Sequence, residues 1–368
     1  MQTIMSLFIY FFCIISTVIF VGIASKAKCK KASFLFLSFA ILLPSIMAGL
    51  RQNVGTDYNQ YLQIYSTVAG GGNFLAFRLN EIEAGFMLLN KICIFFGGGY
   101  HSVLFAAQFI TQMFIIAFLW KERKNINPVW GIFIYMMNYY QRSLNIVRQS
   151  IAISICIFAF TYLADEKASH KYVKYIILIL AAASFHTSAL ICLGVLAVQQ
   201  IYKKRGLRVL HYVSFVFILV LIFCRKQVGV IVGILLNSPN YYASYFIRDA
   251  ATDSSLITYI VKIFLLIYPS IIVYKKILGN KKFLLYFNLM IVGAILGLFS
   301  KFTLTYVDRI SYFFIYLIIA VIPYSLKVIS KRNYLIVAGS YIWITTFFWI
   351  YNYFIKGYSG TIPFQTFL

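Results

Sequence analysis

From Thr3 to Ala24 the chain runs without a single charged residue, and comparable apolar stretches recur along its whole length. A stretch of this kind can cross the hydrocarbon core of a bilayer, which takes roughly 20 residues as a helix. Apolar runs lie near residues 3–24, 32–49, 101–120, 128–141, 147–164, 172–185, 187–202, 209–224, 257–274, 283–299, 310–326 and 334–354, with mostly short connections. Inside lipid the backbone has no water to bond to, so each run must satisfy its own N–H and C=O groups, as a helix does. The expected fold is an all-α polytopic integral membrane protein of about 12 transmembrane helices (11–13), with residues 1–368 forming a single polytopic membrane domain. Composition closes off the other classes. The chain is 62% apolar and 11% charged, against about 25% charged in soluble domains. That leaves too little polar surface for a soluble enzyme, a disordered protein, a secreted disulfide scaffold or a nucleic-acid-binding domain.

Basic residues outnumber acids 33 to 9, a net charge of +24. Cytoplasmic loops of membrane proteins collect Lys and Arg, and that explains most of the excess. The first run has no positive charge before it and is stopped by Lys26, Lys28, Lys30 and Lys31. It is expected to be a retained helix with its N-terminus outside, because a cleaved signal peptide carries its positive charge in front. Loops expected inside, around 26–31, 121–124, 167–174, 203–208, 275–282 and 327–332, hold 21 of the 33 basic residues, and 4 of these are Arg. Of the other 12, seven are arginines: Arg51, Arg78, Arg142, Arg148, Arg225, Arg248 and Arg309. Six of the nine acids (Asp57, Glu81, Glu83, Asp249, Asp253 and Asp308) share that outer side. The planar guanidinium fork suits phosphate and carboxylate contacts.

Two outer segments are long, near 50–80 and 225–256. Glu83 to Phe96 is apolar but only 14 residues, and is expected to form an outer interfacial or re-entrant helix. Tyr172 to Tyr202 is expected to be a tight hairpin with its tip at Ser184–Ser188, since a single helix would leave Lys203, Lys204, Arg205 and Arg208 outside. The six cysteines include no C-x-x-C spacing, and no histidine has a second ligand at metal spacing, so neither a metal nor a redox pair is expected.

Chemistry-bearing residues gather in a few segments. Arg51-Gln-Asn-Val-Gly55-Thr-Asp57-Tyr58-x-x-Tyr61 follows the second run, with Gly55 allowing a turn. Arg51 could hold an anion and Asp57 a hydroxyl, or the two could form a structural pair. Glu81-x-Glu83-x-Gly85-Phe86 opens the short helix, where acids stabilise the helix dipole and could equally bind a sugar or act as a base. Arg142 and Arg148-Gln149-x-x-Ala152 bracket the start of the fifth run. An arginine inside a membrane helix is costly and usually functional. Phe185-His186-Thr187-Ser188-Ala189 places a histidine in an apolar context, suited either to proton transfer or to a structural hydrogen bond. Arg248-Asp249 and Asp308-Arg309 repeat the acid–arginine adjacency.

The ordered series Arg51…Gly55-Thr-Asp57-Tyr58…Tyr61, Glu83-x-Gly85-Phe86, Arg148-Gln149-x-x-Ala152 and Phe185-His186-x-Ser188-Ala189 resembles the EpsG-like branch of bacterial Wzy-type polysaccharide polymerases. The resemblance covers roughly residues 50–190, and beyond them lies in hydropathy and a late Arg309. It implies a glycosyltransferase of O-antigen, capsule or exopolysaccharide synthesis in the bacterial cytoplasmic (inner) membrane, with its active site facing the periplasm or exterior. It would join oligosaccharide repeat units carried on undecaprenyl pyrophosphate, without nucleotide sugar or other cofactor. The implied partners are the lipid-linked oligosaccharide, membrane lipid and a chain-length regulator. A leaving pyrophosphate needs fixed positive charge, for which Arg51, Arg142, Arg148, Arg248 and Arg309 are the candidates, with Gln149 beside them. His186 is the first candidate base, with Asp57 and Glu83 as alternatives, while Tyr58 and Tyr61 are candidates for stacking on sugars. A flippase for the same lipid-linked unit and the ligase of O-antigen assembly are the competing readings.

Overall fold

The computed structural model describes residues 2–71, 82–199, 256–301 and 305–367. Its helices in chain order are α1 (Gln2–Lys26), α2 (Lys30–Leu50), α3 (Tyr58–Ala69), α4 (Ala84–Phe95), α5 (Tyr100–Glu122), α6 (Pro128–Asn138), α7 (Tyr140–Ser143), α8 (Val147–Ala164) and α9 (Lys171–Ala183). A 3₁₀ stretch, Thr187–Leu193, then opens the apolar helix Thr187–Gln199. The later helices are α10 (Leu256–Ile272), α11 (Tyr274–Leu278), α12 (Lys281–Phe299), α13 (Thr305–Ile315), α14 (Ile318–Val328) and α15 (Lys331–Trp349). A π-helical turn, Ile350–Ile355, continues α15.

Among the described residues seven segments are long and apolar enough to cross a membrane: α1, α2, α5, α8, α12, Val307–Val328 and Lys331–Ile355. They coincide with seven of the twelve expected runs. The runs at 128–141, 172–185 and 257–274 and the described part of 187–202 form shorter helices, and 209–224 lies outside the described residues, as does nearly all of the expected loop at 225–256. The break after α6 has a local cause. Asn138 Nδ2 donates to the Ile134 carbonyl at 2.9 Å, and Tyr139 leaves helical geometry with φ −129°. The turn between α13 and α14 faces it, with Tyr316 stacked on Tyr139 at 3.7 Å. The expected short helix near 83–96 is α4. Of the expected hairpin at 172–202, the described residues 172–199 fold back, and Tyr175 on α9 donates its hydroxyl to the Cys192 carbonyl at 2.6 Å.

Burial follows the membrane pattern. Phe8, Phe12, Phe34, Leu335, Ile336 and Trp343 are exposed large apolar residues on outer helix faces, which in water would be a large unpartnered patch and in lipid is ordinary. The apolar window of α8 is 83% buried, against 33% for α1 and α2. The central helix is therefore α8, and it carries Arg148.

The two ends of the helix bundle differ in chemistry. At one end the expected inside loops meet: Lys282 pairs with the fully buried Glu122 at 2.6 Å, Lys281 reaches Glu166 at 3.5 Å, and Lys327 donates to the Lys124 carbonyl at 2.7 Å. At the other end lie the C-terminus of α2, the N-termini of α4, α5 and α8, and the C-terminus of α9. The segment 357–367 is laid across that end. Gln52 N–H donates to the Gln365 carbonyl (2.9 Å), Gly55 N–H to Gly360 (2.8 Å), Thr56 N–H to Ser359 (3.2 Å) and Phe367 N–H to Leu50 (3.2 Å). Tyr10 of α1 fastens the same segment through the Thr361 carbonyl at 3.0 Å.

Candidate active site

Three of the sequence motifs meet at this second end. Glu83 is the N-cap residue of α4, Arg148 stands in the first turn of α8, and His186 lies in the turn after α9. Arg148 Nη1 is 2.5 Å from Glu83 Oε2, and His186 Nδ1 is 2.8 Å from Glu83 Oε1. The Thr187 backbone N–H donates to the same Oε1 at 3.1 Å. Both carboxylate oxygens are therefore engaged, and the Glu83 side chain is 11% exposed.

The approach depends on Gly85. Its N–H donates to the Ser184 carbonyl at 2.7 Å, and a Cβ there would sit 2.5 Å from Ser184 Oγ. Only a residue without a side chain lets the start of α4 abut the end of α9, which carries Glu83 to His186. Burial raises the Glu83 carboxyl's pKa, but the hydrogen bond with His186 and the charge of Arg148 outweigh it, leaving it below the usual glutamate range. An ionised carboxylate only accepts hydrogen bonds, so the Nδ1 of His186 carries the proton it donates. In a neutral imidazole the lone pair is then on Nε2, and Ser188 Oγ lies 3.4 Å from that atom.

The first motif supports this triad from behind. Arg51 is 1% exposed, and its guanidinium donates to the carbonyls of Leu144 and Val54. Asp57 is not its partner. The Asp57 N–H donates to Asn145 Oδ1 at 3.1 Å, Asn145 Nδ2 donates to Thr56 Oγ1 at 2.6 Å, and the Asp57 carboxylate accepts from the Thr56 hydroxyl at 3.2 Å. Among the described residues no hydrogen bond or ion pair joins Asp57 to Glu83, Arg148 or His186. Gly55, at φ +104°, makes the turn that brings the loop onto Asn145. The loop thus grips residues 144–145, just before the turn of α8 that carries Arg148. Tyr61 also touches Arg148 through its phenol oxygen. Tyr58 and Tyr61 are 5% and 6% exposed, and their rings pack edge-on against Tyr100 and Phe86. Protein rather than solvent covers these two rings.

A second charged group lies on the other side of the same segment. Arg142 on α7 is 3.9 Å from Asp308 on α13, with its guanidinium 4.4 Å from the Tyr312 ring centroid, and Tyr312 donates its hydroxyl to Asp308. Gln149 Nε2 donates to the Arg309 carbonyl at 2.7 Å, tying α8 to α13, while the Arg309 side chain is exposed. Arg248 lies outside the described residues.

The profile of the EpsG family matches residues 34–366, nearly the whole chain and all of the groups just described. The chain belongs to the EpsG family. No curated protein and no solved structure gave a match. EpsG-family membership makes this a polysaccharide-polymerase-like, multi-pass membrane protein associated with glycosyltransferase chemistry. In this EpsG chain the motifs read from sequence divide into a joined triad, a loop that holds it, and a separate arginine–aspartate group. Asn145 was missed by sequence reasoning, since nothing in its neighbourhood marks it as the acceptor for a backbone N–H 88 residues away.

Proposed function

We propose that the chain is a membrane polysaccharide polymerase that joins undecaprenyl-pyrophosphate-linked repeat units at the outer face of the bacterial cytoplasmic membrane. The observation that carries the reading is the Glu83–His186 contact at 2.8 Å, made at the end of the helix bundle opposite the lysine-rich loops. Lysine-rich loops favour the cytoplasmic side, which supports an outer position for the triad. There His186 Nε2 takes the proton of the acceptor's non-reducing-end hydroxyl. The hydroxyl oxygen bonds to the anomeric carbon of the growing chain, the bond from that carbon to the pyrophosphate oxygen breaks, and undecaprenyl pyrophosphate leaves with the electron pair.

Glu83 has both oxygens occupied and a carboxyl held ionised, so its part is to hold His186 in the Nδ1–H form and to stabilise the imidazolium that forms. Arg148 neutralises Glu83 and keeps it in place. The second group, with Arg142 and the exposed Arg309, supplies positive charge for the leaving group. A flippase needs no base with a fixed tautomer.

Reconstitution of the full chain with purified lipid-linked repeat units and no nucleotide sugar tests the proposal. Products several repeat units long are expected. Movement of the unit across the bilayer with no change in its length would overturn it.

A further inference from the structure

Resting on the polymerase reading, the geometry points to Lys262 and Lys301, together with Arg142, as a pyrophosphate-binding subsite distinct from the Glu83–Arg148–His186 triad. Lys262 is the one charged residue between Leu256 and Ile272, in an otherwise apolar helix. A lysine there is costly unless something anionic meets it. Its ammonium lies 5.9 Å from the Phe348 ring centroid and within electrostatic reach of Arg142, Asp308 and Lys301. Tyr259 stands three residues earlier on α10 and hence on the same face. The Lys301 ammonium is 5.3 Å from the Tyr259 ring centroid, and the Tyr259 phenol donates to the Ala294 carbonyl at 3.1 Å, within electrostatic reach of Asp308 and Arg142.

Arg142, at 3.9 Å, and Lys262 thus share Asp308 as an anionic neighbour, with Lys301 close to Lys262. Asp308 is also engaged by the Tyr312 hydroxyl, and Arg142 and Asp308 keep 31% and 30% side-chain exposure. Like charges gathered at low dielectric repel one another unless an anion joins them. A doubly or triply charged phosphoryl group matches that excess, where a single carboxylate does not. In the triad, by contrast, Glu83 already balances Arg148. The charge available to a leaving pyrophosphate therefore sits on the α7–α10–α13 side, and the proton acceptor on the α4–α9 side.

The test uses the full chain in phosphatidylcholine nanodiscs and radiolabelled farnesyl pyrophosphate as a lipid-pyrophosphate probe. The wild type is expected to bind it. Lys262→Gln and Lys301→Gln should each weaken binding about tenfold or more, Lys262→Arg should restore most of it, and His186→Ala should leave it unchanged. Nanodiscs containing phosphatidylglycerol separate the lipid pyrophosphate from ordinary headgroup phosphate, and displacement of the probe by that lipid at equal concentration would overturn the assignment. So would equal binding by the wild type and both lysine-to-glutamine variants, or no binding by a wild type that makes polymer. Lysine-dependent binding in a chain that makes no polymer would keep the subsite and discard the polymerase reading. Lys301, beyond the end of α12, provides a variant outside any membrane helix should the α10 substitution disturb insertion.

Discussion

Glu83 reaches His186 across 103 residues of chain and holds its Nδ1 at 2.8 Å, while its other oxygen is 2.5 Å from Arg148. Replacing His186 by Ala removes the proposed base and should lower the polymerisation rate by about 10²–10⁴-fold, the usual span for general base catalysis. Sized products from reconstituted protein give the rate. Full-length polymer at the wild-type rate would remove His186 from the mechanism.

Glu83→Gln tests the positioning role. The amide keeps the shape but loses the charge that fixes the Nδ1–H tautomer and balances Arg148. The rate should fall while the apparent KM for the lipid-linked unit changes little. Its pH–rate profile should also shift, because the imidazolium formed in the reaction loses a carboxylate partner. A purely structural Glu83 would instead reduce folded yield with an unaltered profile.

The same carboxyl makes stability depend on pH. Its pKa in the folded chain lies below the ordinary glutamate value, burial being outweighed by His186 and Arg148. The unfolded chain therefore binds its proton first as pH falls. The stabilisation is complete above the unfolded value of about 4.3 and is lost progressively as pH drops through the lower folded value. Unfolding temperatures measured from pH 7 down to pH 3 should show this loss in the wild type and a smaller one in Glu83→Gln. Parallel curves for the two proteins would contradict it.

Gly85→Ala places a methyl group 2.5 Å from Ser184 Oγ and 2.7 Å from its carbonyl oxygen. The start of α4 must then move away from the end of α9. We expect a loss of about 1–3 kcal/mol of stability, typical of overpacking, together with a fall in activity out of proportion to it. An unfolding temperature and rate equal to the wild type's would show that the contact is not needed.

Arg51→Lys keeps a positive charge but not the planar Nη1 amino group, which donates to both the Leu144 and Val54 carbonyls. The expected result is destabilisation of about 1–3 kcal/mol from carbonyls left unsatisfied, with binding of a lipid pyrophosphate unchanged. A selective loss of that binding in a normally stable variant would assign Arg51 to the ligand instead.

The helices most visible in the sequence were those whose apolar runs are unbroken, such as α1, α2, α5 and α8. The run at 128–141 was read as one span because hydropathy is blind to Asn138 bonding back to Ile134 and to the stacking of Tyr139 on Tyr316. Glu83, Arg148 and His186 stood out individually as polar groups in apolar surroundings, but their joining is a long-range contact that no local pattern records. Arg51 and Asp57 invited pairing because they are close in sequence, yet the backbone turn at Gly55 sends one to Leu144 and the other to Asn145. Lys262 stands alone in an apolar helix, and an isolated lysine there carries no motif to mark it.

The strap formed by residues 357–367 bears on how the protein is made. Tyr10 meets Thr361 across 351 residues, and Ser6 meets the Phe364 N–H across 358. The ribosome delivers the loop at 50–56 long before the residues that close over it, so that loop waits, half-bonded, while the intervening helices are threaded into the bilayer. Assembly of this end is thereby deferred until residues 357–367 have followed the helices that precede them.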